Sequence, residues 1–471
     1  LVFSSVVFLF YFLPAFLFLY LILPPFRTQI ILTGSLVFYA WGDPGDVPVL
    51  LAFIVFNWAM GIFVAGARRR KRFVLFVGCA VNVGVLLYFK YAGFLAAQLD
   101  PALSAAGFAP LGLAARTLPL GISFFTFQGI SYLIDISRGV IVAQRGLLKF
   151  AMYKSMFPQL IAGPIVRYSQ IAAEIDDRTV REYRLAFGVQ YFIVGLAQKV
   201  LIANTVAVAA DAIFGLPDRQ LTIATAWLGA WCYMAQIYFD FGGYSNMAIG
   251  LGHMIGFTLP RNFDNPYAAR SMTEFWRRWH ITLSTWFRDY LYIPLGGNRR
   301  GRARTYVNLF VTFLLCGLWH GAAWNFAVWG LFHGAFLAAE RAFSRFGRRV
   351  PWRPPRHGYT LLVVLTGWVV FRADSLGRAA AMLRTMAGAG RPDDTAWPVQ
   401  RFATHSVLAA LAASALIVVL AAWRPIKFVP IAARWQPVWE GARVASLLAM
   451  FVLSAAALSS GTYNPFIYFR F

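Results

Sequence analysis

Charge is what this chain has least of. Only 13% of its 471 residues are Asp, Glu, Lys or Arg, against roughly 25% in a soluble globular protein. At this length a globular fold leaves too much surface for water to wet with so few charges. That excludes an ordinary soluble protein and points to one solvated by lipid. Cysteine is scarce as well. Cys79, Cys232 and Cys316 are the three in the chain, all in apolar stretches and none in a CxxC pair. An odd count without spacing argues against a disulfide framework or a zinc site, and the three read as small apolar filler. H-E-x-x-H and other His/Cys ligand spacings are missing, so no metal is expected. G-x-S-x-G, the P-loop and the dinucleotide fingerprint are missing too, so no bound cofactor is expected. Acid is the scarcer sign: 43 Lys and Arg face 19 Asp and Glu, a formal net charge of +24. The basic residues sit in short clusters between apolar runs, as cytoplasmic loops do. No nucleic-acid-binding pattern accompanies them, so the expected partner is the bilayer with its anionic head groups, not nucleic acid.

What abounds is apolar sequence, 59% of the chain. A span takes roughly 20 apolar residues. Candidate runs cover 3–23, 30–41, 47–66, 73–89, 118–134, 185–214, 221–257, 305–319, 322–339, 359–371, 406–423 and 444–458. The first has no basic flank before it and no small-residue cleavage site after it, so it reads as a retained span, not a removed signal peptide. Residues 147–166 are apolar but broken by Lys149, Lys154, Pro158, Gly163 and Pro164. Broken backbone survives at membrane depth only inside protein or beside a wet cavity, so this piece is expected to be re-entrant or interfacial. The prediction is an all-α polytopic membrane bundle of about 10–12 segments. It is read as a single domain over residues 1–471, with residues 261–340 as the catalytic region. The densest basic run, residues 68–72, marks a cytoplasmic loop and places the acidic Asp43/Asp46 turn outside.

Residues 261–304 change character, carrying many Arg and Trp. His280 lies in a Trp/Arg-rich segment, where helical spacing would make Trp276 and His280 neighbours. Ser271 or Thr273 could cap its start, with Glu274 in the first turn. An interfacial amphipathic helix explains the Trp and Arg but not His280. His320 follows a run of about fifteen apolar residues, too short for an upright span at 1.5 Å per residue. Gly317 and Gly321 flank it. A break there would end a helix at His320 within the membrane thickness, and an ionisable residue at that depth is by default a functional one. His333 would lie about 20 Å from His320 on a continuous helix unless a bend intervenes. His253, His357 and His405 read as structural or solvated.

These blocks resemble a known family. FWRRWHITLSTWFRD (275–289), YLYIPLGG (290–297) and LWHGAAW (318–324) are similar to the membrane-bound O-acyltransferases, in particular the bacterial alginate O-acetyltransferase branch. PLGISFFTFQ (119–128), PQLIAGPIVR (158–167), FDFGGYSNMA (239–248) and NPFIYFRF (464–471) extend the resemblance across essentially the whole chain. It implies a helical bundle around a tunnel in which donor and acceptor meet. It implies that His320 is catalytic, with His280 as the second active-site residue. The donor would be acetyl-coenzyme A or an acyl-carrier thioester, the acceptor a polysaccharide, the partners periplasmic acetyltransferase or polysaccharide-modifying proteins, and the location the bacterial inner membrane. A histidine near neutral pKa suits general-base work. The oxyanion of acyl transfer needs a donor, for which the His280 ring, Trp N–H groups and backbone near Gly321 are candidates. Trp279, Trp286, Trp319 and Arg278 are the candidate substrate-binding residues, although positive-inside topology explains each Arg equally well. Two alternatives stay open: peptidoglycan O-acetylation or D-alanyl transfer to teichoic acid on the same fold, and a transporter or flippase without covalent chemistry.

Overall fold

The structure, a computed structural model, describes residues 2–113, 117–345, 353–422, 436–461 and 463–465. Every regular element among them is a helix. The chain divides into two compact units: Leu1–Gly188 with Ala248–Pro260, and Val189–Met247 with Arg261–Phe471.

In the first unit, α1 (Leu13–Ile22) and α2 (Arg27–Ala40) belong to a helix pair bent by 113°. Pro24 and Pro25 sit at the bend, where the ring removes a backbone donor and disfavours helix before it. The two short apolar runs expected here therefore form one bent pair. Next come α3 (Val47–Gly66) and the 35-residue α4 (Lys71–Ala105). The side chains of α4 at Phe73 and Phe76 are exposed, as lipid contact requires. Asn57 and Asn82 exchange amide hydrogen bonds between these helices, at 3.2 and 3.0 Å. That is the uncharged polar glue apolar spans tolerate. Opposite the pair lies Gly129 of α5 (Ile122–Arg138), where a Cβ would strike the Asn57 and Asn82 side chains.

The interrupted run becomes α6 (Leu147–Ser155), one turn of α7 (Phe157–Leu160) and irregular backbone that leads to α8 (Tyr168–Asp176). Gly163 takes φ +126° there, a conformation open to glycine. Every residue from 150 to 166 is buried, so the broken backbone lies inside protein.

Two long helices follow. One is α9 (Glu182–Ala197), which continues through a π-helical turn (Gln198–Ala203) into α10 (Asn204–Phe214). The other is α11 (Ile223–Met254). They meet at Gly195 and Gly243. Beside that contact Lys199 and Asp240 form a buried ion pair at 2.9 Å, with side-chain exposures of 2% and 1%. Lys199 also donates to Asn204 Oδ1 and to the Pro465 carbonyl. Such a buried pair survives only when its remaining donors find partners.

The rest of this unit holds α12 (Met272–Arg278), α13 (Ile281–Phe287), α14 (Arg302–His320), α15 (Trp324–Arg345), α16 (Arg353–Arg372), α17 (Leu376–Met386), α18 (His405–Ala422) and α19 (Gln436–Ser459). α14 and α15 form a hairpin in which Gly317 and Gly330 face each other. A Cβ on Gly317 would stand 3.2 Å from the Gly330 Cα and collide with the Phe326 carbonyl. Small residues permit this close backbone approach. Among the described residues five helices are long and apolar enough to cross a membrane, six if the bent pair counts as one span. The chain is a polytopic helical membrane protein.

Candidate functional site

α14 ends on His320, and Gly321 leaves the helix in an extended conformation, φ −163° and ψ 154°. The glycine is required because a Cβ there would run into the Phe326 ring. The expected helix end at His320 is thus present, although α14 starts at Arg302, earlier than the apolar run. The His320 ring is walled by Trp319 (4.8 Å between centroids), Trp329 (5.2 Å) and Phe371 (5.1 Å).

His280 is not inside a helix. It breaks the expected one, holding φ +42° and ψ 55° between α12 and α13. Trp276 therefore packs on Phe313, Trp329 and His333 instead of on His280. The start of α12 behaves as expected, with the Glu274 N–H donating to Ser271 Oγ at 3.0 Å. Positive φ at a non-glycine residue costs on the order of 1–3 kcal/mol and collects at functional sites. Here the break is braced by the 262–264 segment: Ile281 N–H donates to the Asn262 carbonyl and Asp264 N–H to the Arg278 carbonyl, both at 2.9 Å.

Asn262 also sets the protonation pattern of His280. Its Oδ1 accepts from Thr282 N–H (3.3 Å) and Thr282 Oγ1 (2.8 Å) and lies 3.0 Å from His280 Nδ1. A backbone N–H can only donate, so the shared atom is oxygen and His280 Nδ1 carries the hydrogen. His280 is 1% exposed, and burial pushes its pKa down to about 3. The ring is neutral, with Nε2 as its acceptor nitrogen. A second residue holding the other nitrogen is the arrangement that orients working histidines. It suits His280 to receive a hydroxyl hydrogen and not to donate to an oxyanion.

Trp319 joins the two histidines. Its indole lies 6.2 Å from the His280 ring and 4.8 Å from the His320 ring. Phe241 packs edge-on against His280 at 4.7 Å. Of the candidate substrate-binding residues, Trp319 is at the centre and Trp279 is one layer out, against Phe263 (5.0 Å) and Trp368 (4.8 Å). Arg278 is turned to Glu274 (2.7 Å) and the Asp264 carbonyl (3.1 Å), and Trp286 to Phe287 and Tyr290. Arg278 serves the local ion pair in this structure.

His333 is the residue that helical spacing undervalued. The α14–α15 hairpin brings it to 4.8 Å from Trp329, whose opposite contact is His320 at 5.2 Å. His333 is 1% exposed, and Gly367 leaves room for it: a Cβ there would sit 2.8 Å from its Nε2. The pairing of His with a ring-lined glycine on another helix has no signal in local sequence. His253 packs on Phe187, His357 lies 3.1 Å from the Ala269 carbonyl, and His405 is exposed at the start of α18.

Comparison with known proteins gives the family. The model of the membrane-bound O-acyltransferase family matches residues 137–381. The chain is 42% identical, over 100% of both chains, to "Probable alginate O-acetylase AlgI" of Pseudomonas putida. It is 38% identical to the peptidoglycan O-acetyltransferase of Helicobacter pylori, over 82% of this chain and 80% of that one. It is 28% identical to the teichoic acid D-alanyltransferase of Bacillus subtilis, over 52% and 65% respectively. All three names describe acyl transfer and none describes transport. With both histidines inside the matched region, the chain belongs to the membrane-bound O-acyltransferase family.

Proposed function

We propose that this membrane O-acyltransferase takes acetyl from a cytoplasmic thioester, coenzyme A or an acyl carrier, and passes it across the bacterial inner membrane to hydroxyls of an alginate-like exopolysaccharide, directly or through periplasmic partner proteins. The observation that carries the reading is the pair of histidines on one indole, with the His280 tautomer fixed by Asn262.

In the reaction, a hydroxyl oxygen forms the new bond to the thioester carbonyl carbon and the C–S bond breaks. His320 takes the hydroxyl proton as the oxygen attacks and returns it to the departing sulfur, so no proton is gained or lost overall. His280 Nε2 accepts a hydrogen bond from a second, neighbouring hydroxyl of the acceptor and so holds the attacking one in register. Indole or backbone N–H groups at the Trp319–Gly321 end then serve the oxyanion. Arg278, tied to Glu274 and the Asp264 carbonyl, holds the Trp279–His280 segment in place, and Trp279 backs the site.

Orientation supports the two-sided scheme. In the α14–α15 hairpin, Arg299, Arg300, Arg302 and Arg341 gather at one end and His320 at the other. The rise from Arg302 to His320 is about 27 Å at 1.5 Å per residue. Positive-inside logic puts the basic end in the cytoplasm, where it faces a phosphate-bearing donor. Peptidoglycan is the second acceptor reading, favoured by the 38% identity to the Helicobacter pylori relative. Mass analysis of the polymers of a deletion strain and its complemented parent separates the two. Loss of acetyl from exopolysaccharide alone supports the proposal. Loss from peptidoglycan alone, or from neither, contradicts it.

A further inference from the structure

At the turn between α3 and α4 lies a groove of about 820 Å³, toward the upper end of the roughly 300–1,000 Å³ that small-molecule sites occupy. Away from the turn the two helices are held together by the Asn57–Asn82 amide pair and by Gly78, where a Cβ would stand 3.2 Å from the end of Met60. Nearer the turn the groove lies between them. Phe63, Phe73 and Val77 line its apolar length, and Arg68, Arg69 and Arg70 stand at its turn end. Phe63 and Phe73 are 61% and 65% exposed, as side chains that face lipid are. Gly66 also lines the groove, and a Cβ on it would meet nothing within 4 Å, so this end is open.

Charge gathers at the turn end alone. Residues 68–72 are all Arg or Lys, and no Asp or Glu occurs between Asp46 and Asp100. Arg68, Arg69 and Arg70 are exposed, and no carboxylate meets them among the described residues. Positive-inside topology accounts for the basic turn and places it at the cytoplasmic leaflet. It does not account for an apolar groove that starts at those arginines and runs between two spans. From Gly66 back to Met60 is about 9 Å at 1.5 Å per residue. That carries the groove through the interfacial layer, roughly 5–8 Å deep on each side, to the start of the hydrocarbon.

The geometry points to this groove as the seat of one anionic glycerophospholipid. Its phosphate meets the arginines, whose planar guanidinium groups match phosphate oxygens two at a time. One acyl chain runs between Phe63 and Phe73 toward Met60 and Val77. Basic pockets between spans on the cytoplasmic side suit such head groups. A zwitterionic lipid has the same chains but brings an ammonium group that the arginines repel. The residues belong to α3, α4 and their turn, and none has a part in the acyl-transfer reading, so the inference stands independently of it.

The test uses purified full-length protein in an uncharged detergent. It is titrated with phosphatidylglycerol, with phosphatidylcholine of the same chains, and with glycerol phosphate, which has the charge without the chains. Native mass spectrometry counts the molecules retained. One phosphatidylglycerol is expected to stay bound, with the other two held at least about tenfold more weakly. Arg68→Gln, Arg69→Gln and Arg70→Gln together are expected to weaken phosphatidylglycerol on the order of 100-fold, from the contribution of each basic residue to an anionic lipid. Gly66→Leu keeps every charge and fills the groove. It is expected to weaken phosphatidylglycerol by about tenfold, the size of one displaced apolar side-chain contact. All four positions are exposed, and folding is checked by chromatographic profile. Equal retention of phosphatidylglycerol and phosphatidylcholine overturns the proposal, as does equal retention of phosphatidylglycerol and glycerol phosphate. So does wild-type affinity in a folded Gly66→Leu, which would show that the basic turn attracts lipid without the groove. A wild type that retains no phosphatidylglycerol overturns it as well.

Discussion

His280 spends backbone strain to face Asn262, and that strain has a measurable purpose. Replacing Asn262 with Leu removes the acceptor of Nδ1–H, leaves the ring free to take the other tautomer, and strands the Thr282 donors. Outer-shell partners of working histidines are commonly worth 10–100-fold. Asn262→Leu is therefore expected to lower kcat by about that factor in a thioester-turnover assay, with the donor KM little changed. A pH effect follows from the same ring. Its folded pKa is about 3 against an ordinary 6.5, so the unfolded chain binds more protons between those values. Stability from this group is complete above about pH 6.5 and is lost as pH falls toward 3. Unfolding in detergent should show wild type losing stability over that window, and His280→Gln losing it with a shallower slope. Much at this scale was legible: His320 at a helix end between glycines, and Ser271 as a cap. The break at His280 was not, because a positive φ at histidine is imposed by the 262–264 segment and leaves no mark in periodicity. His333 was undervalued for a similar reason. Distance along one helix says nothing about a ring shared across a hairpin.

Helix α14 meets α15 through glycine, so their crossing tolerates no added carbon. Gly317→Ala and Gly330→Ala each place a methyl against backbone of the partner helix. Overpacking of this kind costs about 1–3 kcal/mol. Each variant should lower the unfolding temperature, and the double variant should fall short of the sum because both relieve one contact. The π-helical turn between α9 and α10 carries Lys199 to Asp240. Lys199→Met leaves a buried carboxylate without its cation and is expected to cost about 3–5 kcal/mol, read as loss of folded protein by fluorescence-detected chromatography. The apolar runs announced most of these helices. Long-range polar pairs stayed hidden: Lys199 with Asp240, and Arg372 with Asp211, come together by tertiary packing, which charge patterning along the chain cannot show. The bend at Pro24 and Pro25 and the buried break at residues 155–164 were readable because proline and glycine act locally.

At the scale of the whole molecule, the account is one of sides. Basic residues at the Arg302 end and the turn at the Ala323 end of the α14–α15 hairpin should lie on opposite faces of the membrane. Single cysteines at residues 303 and 374, in a chain otherwise free of cysteine, should label with a membrane-impermeant maleimide from opposite sides of oriented vesicles. Labelling from the same side contradicts the orientation. The central claim is that His320 moves the proton on which acetyl transfer depends. The most direct measurement is acetyl-coenzyme A turnover by purified wild type and His320→Ala in proteoliposomes, with folding checked by chromatographic profile. The account predicts a fall of at least about 10²-fold in kcat, the low end of what a general base contributes. Turnover by a well-folded His320→Ala within a few-fold of wild type would contradict it.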